Sequence, residues 1–260
     1  MERKDLINKL QEIIDLSTKS ISSQENLNND AKDLYIASFC SSIIQYTDAI
    51  ISLIESDKLI AIPPILRSIL EAYVELLNLC KHEDYIFVLT SNHLRQKIKK
   101  FEVTFKEPNN PFLQHTMEYY DDIGSEIKKL RKQKNYLDQY TSSFGVDITK
   151  IKDRFDLAGI KDAYAGIYSQ LCEDTHNEII RVESRHLAQK ENRTEFSIKA
   201  NWDLEDISHY ILTAIEILKS ALINTFHHLN FNNRDDFLPK IEKNENLINT
   251  YFGEYNSKAQ

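Results

Sequence analysis

Glycine and proline are scarce: five of each in 260 residues. Ordinary usage would supply roughly 18 and 13. These are the residues that make tight turns, so a sheet-rich fold with many hairpins is excluded. Collagen-like and low-complexity chains are excluded by the same counts. Cysteine is also sparse. Cys40, Cys80 and Cys172 are odd in number, far apart, set in apolar helical patterns, and form no C-x-x-C. A disulfide scaffold is ruled out, and buried thiols in a reducing compartment are expected. No stretch of 18 or more uncharged apolar residues occurs, so no spanning helix and no membrane partner are expected. MERKDLINKL lacks the apolar run of a signal peptide, which points to the cytoplasm. Basic residues are outnumbered 40 to 32, for a formal net charge of -8. A duplex DNA binder draws its affinity from a basic face, so duplex DNA is not an expected partner. One local cleft for nucleic acid is still allowed. There is no Gly-rich phosphate loop, no G-x-S-x-G and no kinase signature set, which argues against classical nucleotide hydrolysis and serine-hydrolase chemistry. No H-E-x-x-H occurs and no second His lies three or four residues from His176. No metal and no cofactor are expected.

What the chain has is helical periodicity. Leu6, Leu10, Ile13, Ile14 and Ile21 predict a helix over 5–22. A polar loop follows from Ser22 to Asn29, and Asp30 is placed to cap a long helix over 31–56. Pro63 and Pro64 open a mostly apolar helix to about Lys81, expected at the centre of a bundle. Further helices are predicted over 83–105, 112–140 and 161–188, the last with a break near Val182. Residues 141–160, with Gly145 and Gly159, read as an irregular connection. A brief alternation at Glu195–Lys199 reads as extended. Asp203 is placed to cap a helix over 204–229 that includes Leu204, and a short helix is predicted over 236–252. With no repeat and no linker, the expectation is one all-α domain, a multi-helix bundle of long antiparallel helices covering 1–260. Its core spans about 30–230, preceded by an N-terminal helix and loop (1–29) and followed by a C-terminal helix and tail (231–260). Helix content is expected above 60%, with no sheet beyond a short hairpin.

Charge is uneven. Residues 91–160 hold 13 Lys/Arg against 10 Asp/Glu, which leaves -11 for the rest. Lys128, Lys129, Arg131, Lys132 and Lys134 make much of this excess. They are either a solvated helix face or an anion-binding flank.

Three sets of residues could carry chemistry. Arg67 and Glu71 lie four apart on the apolar helix after the two prolines and share a face. They are either an ion pair fixing that helix or an anion-binding Arg held by its Glu. Tyr168, Cys172 and His176 fall at i, i+4 and i+8, one face over two turns. They are either a satisfied polar seam or a site. Arg181 and His186 form the third set, with the plain alternative of an exposed helix end whose basic residues meet the C-terminal dipole.

R-S-x-x-E at 67–71, followed about a hundred residues later by Y-x-x-L-C-x-x-x-H at 168–176, resembles a bacterial family of uncharacterised all-helical proteins. That family is similar to the HEPN-like (higher eukaryote and prokaryote nucleotide-binding) helical bundles, and the likeness covers about 30–190. The resemblance implies an HEPN-like fold, with Arg67, Glu71, Tyr168 and His176 as site residues. The position of Cys172 is commonly Ser there, so this chain lacks that hydroxyl. Arg181-Val-Glu-Ser-Arg-His186 is similar to the R-x4-6-H motif of HEPN ribonucleases, although Val182 stands where active families carry a polar residue. The wider group includes metal-independent ribonucleases of toxin and phage-defence systems, and also members without catalytic activity. By this likeness Arg67 binds a scissile phosphate, Glu71 orients it and His176 moves a proton, with RNA as substrate. The same resemblance implies a C2 homodimer, for which Tyr35, Phe39, Tyr46 and Tyr210 are candidates for an exposed apolar stripe. The alternative is a non-catalytic helical module that binds a cognate protein or a small ligand, with the Arg67–Glu71–His176 set as a buried network.

One geometric expectation follows from cost. Buried apart, each polar group would be left unsatisfied at about 1–3 kcal/mol. Arg67 or Glu71 should therefore lie within hydrogen-bonding reach of His176 or Tyr168.

Overall fold

The computed structural model describes residues 3–22, 30–113, 119–120, 122–144, 149–190, 193–200, 202–204, 206–231 and 234–258. Of these residues 81% are helical. Sheet among them is confined to one two-stranded hairpin. Residues 23–29 of the predicted loop, residues 114–118 of the helix predicted over 112–140, and Gly145 lie outside the described residues. The residues cluster into two compact units: Met1–Cys80 with Ala158–Gln260, and Lys81–Leu157.

In the first unit, α1 (Arg3–Ser22) buries Leu6, Leu10, Ile13 and Ile14. Helix α2 (Ala31–Glu55) starts at Asp30, whose carboxylate accepts from the Lys32 amide at 2.9 Å, the cap expected from the sequence. By length and composition α2 is apolar enough to cross a membrane, although Lys32, Asp33, Asp48 and Glu55 interrupt it. Its Ile36, Ile43, Ile50 and Ile54 are buried, and the helix packs on α1 and on α9 (Ser208–Leu229). After a short 3-10 turn, α3 (Ile62–Lys81) carries Pro63 and Pro64 in its first turn, where a missing N–H breaks no intrahelical bond. Tyr73 Oη meets Ser220 Oγ of α9 at 2.6 Å. Helix α10 (Arg234–Lys258) is much longer than expected and packs on α1 and α9. Leu238, Ile241, Ile248 and Phe252 form its buried stripe.

In the second unit, α4 (Tyr85–Lys106) pairs with α5 (Ile123–Thr141) through Leu94, Ile98, Phe101, Ile123, Ile127 and Leu130. Helix α5 begins eleven residues later than predicted, because Asp122 caps it by accepting from the Ser125 amide at 3.0 Å. Its basic run is an exposed face partly neutralised by carboxylates: Lys129 with Glu126, Arg131 with Glu102 and Lys134 with Asp138. Helix α6 (Ile151–Leu157) follows and buries Phe155.

Two expectations fail where a local signal is used differently. Asp203 does not cap the helix after it, and Leu204 lies outside that helix. Asp203 and Asp206 instead exchange backbone-to-carboxylate bonds at 2.8 and 3.1 Å, and α9 starts at Ser208. Tyr210 is buried rather than part of an exposed stripe, while Tyr35 and Tyr46 are exposed.

Cys40 is fully buried, and burial pushes its thiol pKa up to about 12. The thiolate is the reactive form. A thiol reagent at pH 8 should therefore leave Cys40 unmodified in native protein and label it in denaturant, as peptide mass mapping would show.

Candidate functional site

The segment after α6 holds the second half of the site. It is one helical run, α7, built from Lys161–Ala163, a π-helical turn Tyr164–Tyr168, and Ser169–Thr175. Such π turns recur at functional sites. The run ends at His176 because Asn177 adopts a left-handed conformation, with φ 53°. The Glu178 amide closes back onto the Glu173 carbonyl at 3.2 Å, a Schellman-type end. The break expected near Val182 therefore falls five residues earlier, at an Asn able to take positive φ. Helix α8 (Ile179–His186) restarts the chain and runs into the hairpin β1 (Leu187–Lys190) and β2 (Arg193–Phe196). The hairpin lies before most of the alternating stretch at 195–199.

The geometric expectation is met. Arg67 of α3 donates from Nε to Glu71 Oε1 at 3.0 Å and from Nη2 to Tyr168 Oη at 3.3 Å. Its Nη1 lies 3.3 Å from His176 Nε2. Arginine can only donate, so this contact assigns the lone pair to Nε2 and the proton to Nδ1. Tyr168 donates to Glu71 Oε1 at 2.8 Å, closing a ring of three groups. The guanidinium also lies over the Tyr168 ring, 5.4 Å from its centroid, and Tyr164 stacks on Tyr168. Tyr168 is buried, Arg67 and Glu71 are half-buried, and His176 is exposed. The cluster thus has a closed inner side and an imidazole at its outer edge. Cys172 is half-buried on the same helix.

Burial raises the Tyr168 pKa well above the ordinary phenol value, and the Glu71 carboxylate adds to this. For Arg67, burial alone would lower the pKa, but the bonds to Tyr168 and Glu71 outweigh it and raise it. Tyr210 is raised by burial and then by Asp174. A phenol raised in the folded state stabilises the fold fully below the unfolded pKa of about 10 and loses that contribution as pH climbs toward the folded value. Stability should fall above about pH 10, and Tyr168→Phe/Tyr210→Phe should flatten that fall in denaturation curves taken between pH 8 and 11.

Arg181 and His186 are held by different partners. Arg181 binds Glu173 at 2.9 Å, and His186 Nδ1 lies 3.0 Å from the Ser197 carbonyl oxygen. Reading the sequence missed the group that anchors the His176 turn. Asp174 is fully buried and accepts from Arg185 Nη2 at 2.8 Å and from Tyr210 Oη at 2.7 Å. Arg185, itself buried, also reaches the Asp174 carbonyl at 2.9 Å and Asn177 Oδ1 at 3.2 Å. Its guanidinium lies 5.1 Å from the Trp202 ring centroid. Among the described residues no group of three His, Cys, Asp or Glu is arranged to hold a metal ion.

The chain matches the family of unknown function DUF5677 over residues 33–196 and belongs to that family. The matched span contains both halves of the cluster. No curated protein and no solved structure shows significant similarity to the chain.

Proposed function

We propose that the Arg67–Glu71–Tyr168–His176 cluster binds a phosphodiester of RNA and cleaves it without a metal, as in the HEPN-like ribonucleases that the sequence resembles. One observation carries the reading: an exposed imidazole lies 3.3 Å from a guanidinium that Glu71 and Tyr168 hold in place. A phosphate arriving from solvent would take the Arg67 Nη1 donor now facing His176 and free Nε2 as a base. His176 Nε2 would then accept the proton of the RNA 2′-hydroxyl. The 2′-oxygen attacks phosphorus, the P–O5′ bond breaks, and the leaving oxygen takes up a proton. The products are a 2′,3′-cyclic phosphate and a 5′-hydroxyl. Arg67 would offset the charge that builds on the phosphoryl oxygens. The R-x4-6-H likeness at Arg181 and His186 does not enter, because Arg181 is committed to Glu173. A cytoplasmic toxin or defence effector fits this chemistry.

The test is cleavage of single-stranded RNA by purified protein in EDTA, with the ends of the products analysed. His176→Ala should lower the rate by about 10²-fold or more while the circular dichroism spectrum is unchanged. Equal rates for wild type and variant would defeat the reading.

A second reading, a non-catalytic module that binds a protein partner or a second copy, is favoured by a different observation. Ile179, Ile180, Phe196 and Ile198 are all strongly exposed along α8, the hairpin and the strand end after it. Exposed apolar groups concentrated in so short a stretch are typical of an interaction surface. Under this reading the Arg67 cluster is structural. Light scattering should then show a dimer that Phe196→Ser/Ile198→Ser dissociates.

A further inference from the structure

The second unit carries a cleft of about 560 Å³ between α4 and residues 119–120. His93, Lys97 and Lys100 fall at i, i+4 and i+7, so one face of α4 presents three basic side chains to it. Among the described residues no acidic side chain lines the cleft. Among the described residues no carboxylate pairs with Lys97 or Lys100, although the chain as a whole is acidic. The nearby acid on the same helix, Glu102, is taken by Arg131. The Lys97 ammonium is held over two rings instead, 5.5 Å from the Phe101 centroid and 5.6 Å from that of Tyr120. Phe101 is buried and forms the floor, packed edge-on to Tyr120 at 4.7 Å. Tyr119, also lining the cleft, is 70% exposed.

Unpaired cations call for an anion, and aromatic walls call for a flat apolar surface. A volume within roughly 300–1,000 Å³ suits one small group rather than a flat protein face. We propose that this cleft binds a nucleotide, with the phosphate on Lys97 and Lys100 and the base against Tyr119 and Tyr120. Stacking on aromatic side chains beside a basic rim is how proteins hold nucleotides without reading their sequence. The nucleotide is either free or one unit of single-stranded RNA. The cleft and the His176 cluster share no residue, so its occupancy does not depend on cleavage there.

Titration calorimetry with AMP, adenosine, inorganic phosphate and a 2′-O-methylated ten-nucleotide oligoadenylate tests this. Either AMP or the oligonucleotide should bind, and adenosine and phosphate should each bind at least about ten-fold more weakly, since each lacks one half of the contacts. AMP binding as tightly as the oligonucleotide identifies a free nucleotide; binding of the oligonucleotide alone identifies RNA. Lys97→Met/Lys100→Met should weaken the bound probe about ten-fold or more. For the oligonucleotide it should also reduce the salt slope by about 1.4. If that variant does not fold, protection of Lys97 and Lys100 of the unaltered protein from reductive methylation by the bound probe replaces it. The lysine substitutions should weaken the probe by the same factor whether or not His176 is intact, which separates this result from the fate of the cleavage reading. No binding of either probe at millimolar concentration overturns the proposal. So does binding that the lysine substitutions or methylation do not register.

Discussion

Asp174→Ala is expected to cost about 3–5 kcal/mol of folding stability, the range for breaking a buried ion pair. The carboxylate is fully buried and serves Arg185 and Tyr210 together. Removing it leaves the Arg185 guanidinium, 3% exposed, without its counter-ion. Water cannot replace the lost partner without opening the packing of α7 against α8 and α9. Asp174→Ala/Arg185→Met should recover part of the loss, because no unpaired charge then remains in the interior. Urea denaturation at pH 7 measures both variants. A single-variant loss below about 1 kcal/mol would show that the pair is solvated in solution. On the ribonuclease reading, cleavage should fall along with stability, since Arg185 also ties down the Asp174 carbonyl and Asn177, which flank His176.

Arg67→Ala should separate catalysis from stability. The Arg67–Glu71 pair is half-exposed, so its loss should cost only about 1 kcal/mol or less. On the ribonuclease reading, the loss of a donor aimed at the transition state should slow cleavage about 10²-fold. Arg67→Lys should not restore the rate. A lysine ammonium cannot reach Glu71, Tyr168 and a phosphate together in the planar fork that arginine provides. Rates of RNA cleavage and thermal unfolding, measured on the same preparations, decide it. A large stability loss with an unchanged rate would favour the structural reading of the cluster.

Arg67 and Glu71 were visible in the sequence because i, i+4 spacing on an apolar helix marks a shared polar face. Tyr168, Cys172 and His176 were visible for the same reason. Their meeting across about a hundred residues could be argued from the cost of unsatisfied groups, and the 2.8–3.3 Å contacts match that argument. Asp174 and Arg185 gave no such signal. Eleven residues apart, they meet only because the chain reverses at Asn177, and spacing rules hold only within one continuous helix. Capping residues mark helix starts ambiguously for a similar reason. Asp30 and Asp122 bond amides at the start of their own helices, whereas Asp203 bonds Asp206 and leaves the start of α9 to Ser208.

The sequence by itself determined that the protein is helical. It has too few turn residues for sheets, and its apolar residues recur at the helical period, a local property read within a few residues. It also determined which polar residues share a face. Tertiary structure decided which faces meet, where a helix stops in mid-pattern, and which tyrosine is buried. It also decided that three basic residues of α4 share a cleft with Tyr119 and Tyr120. Those outcomes depend on burial and on charge neutralised by residues far along the chain, which no local window contains.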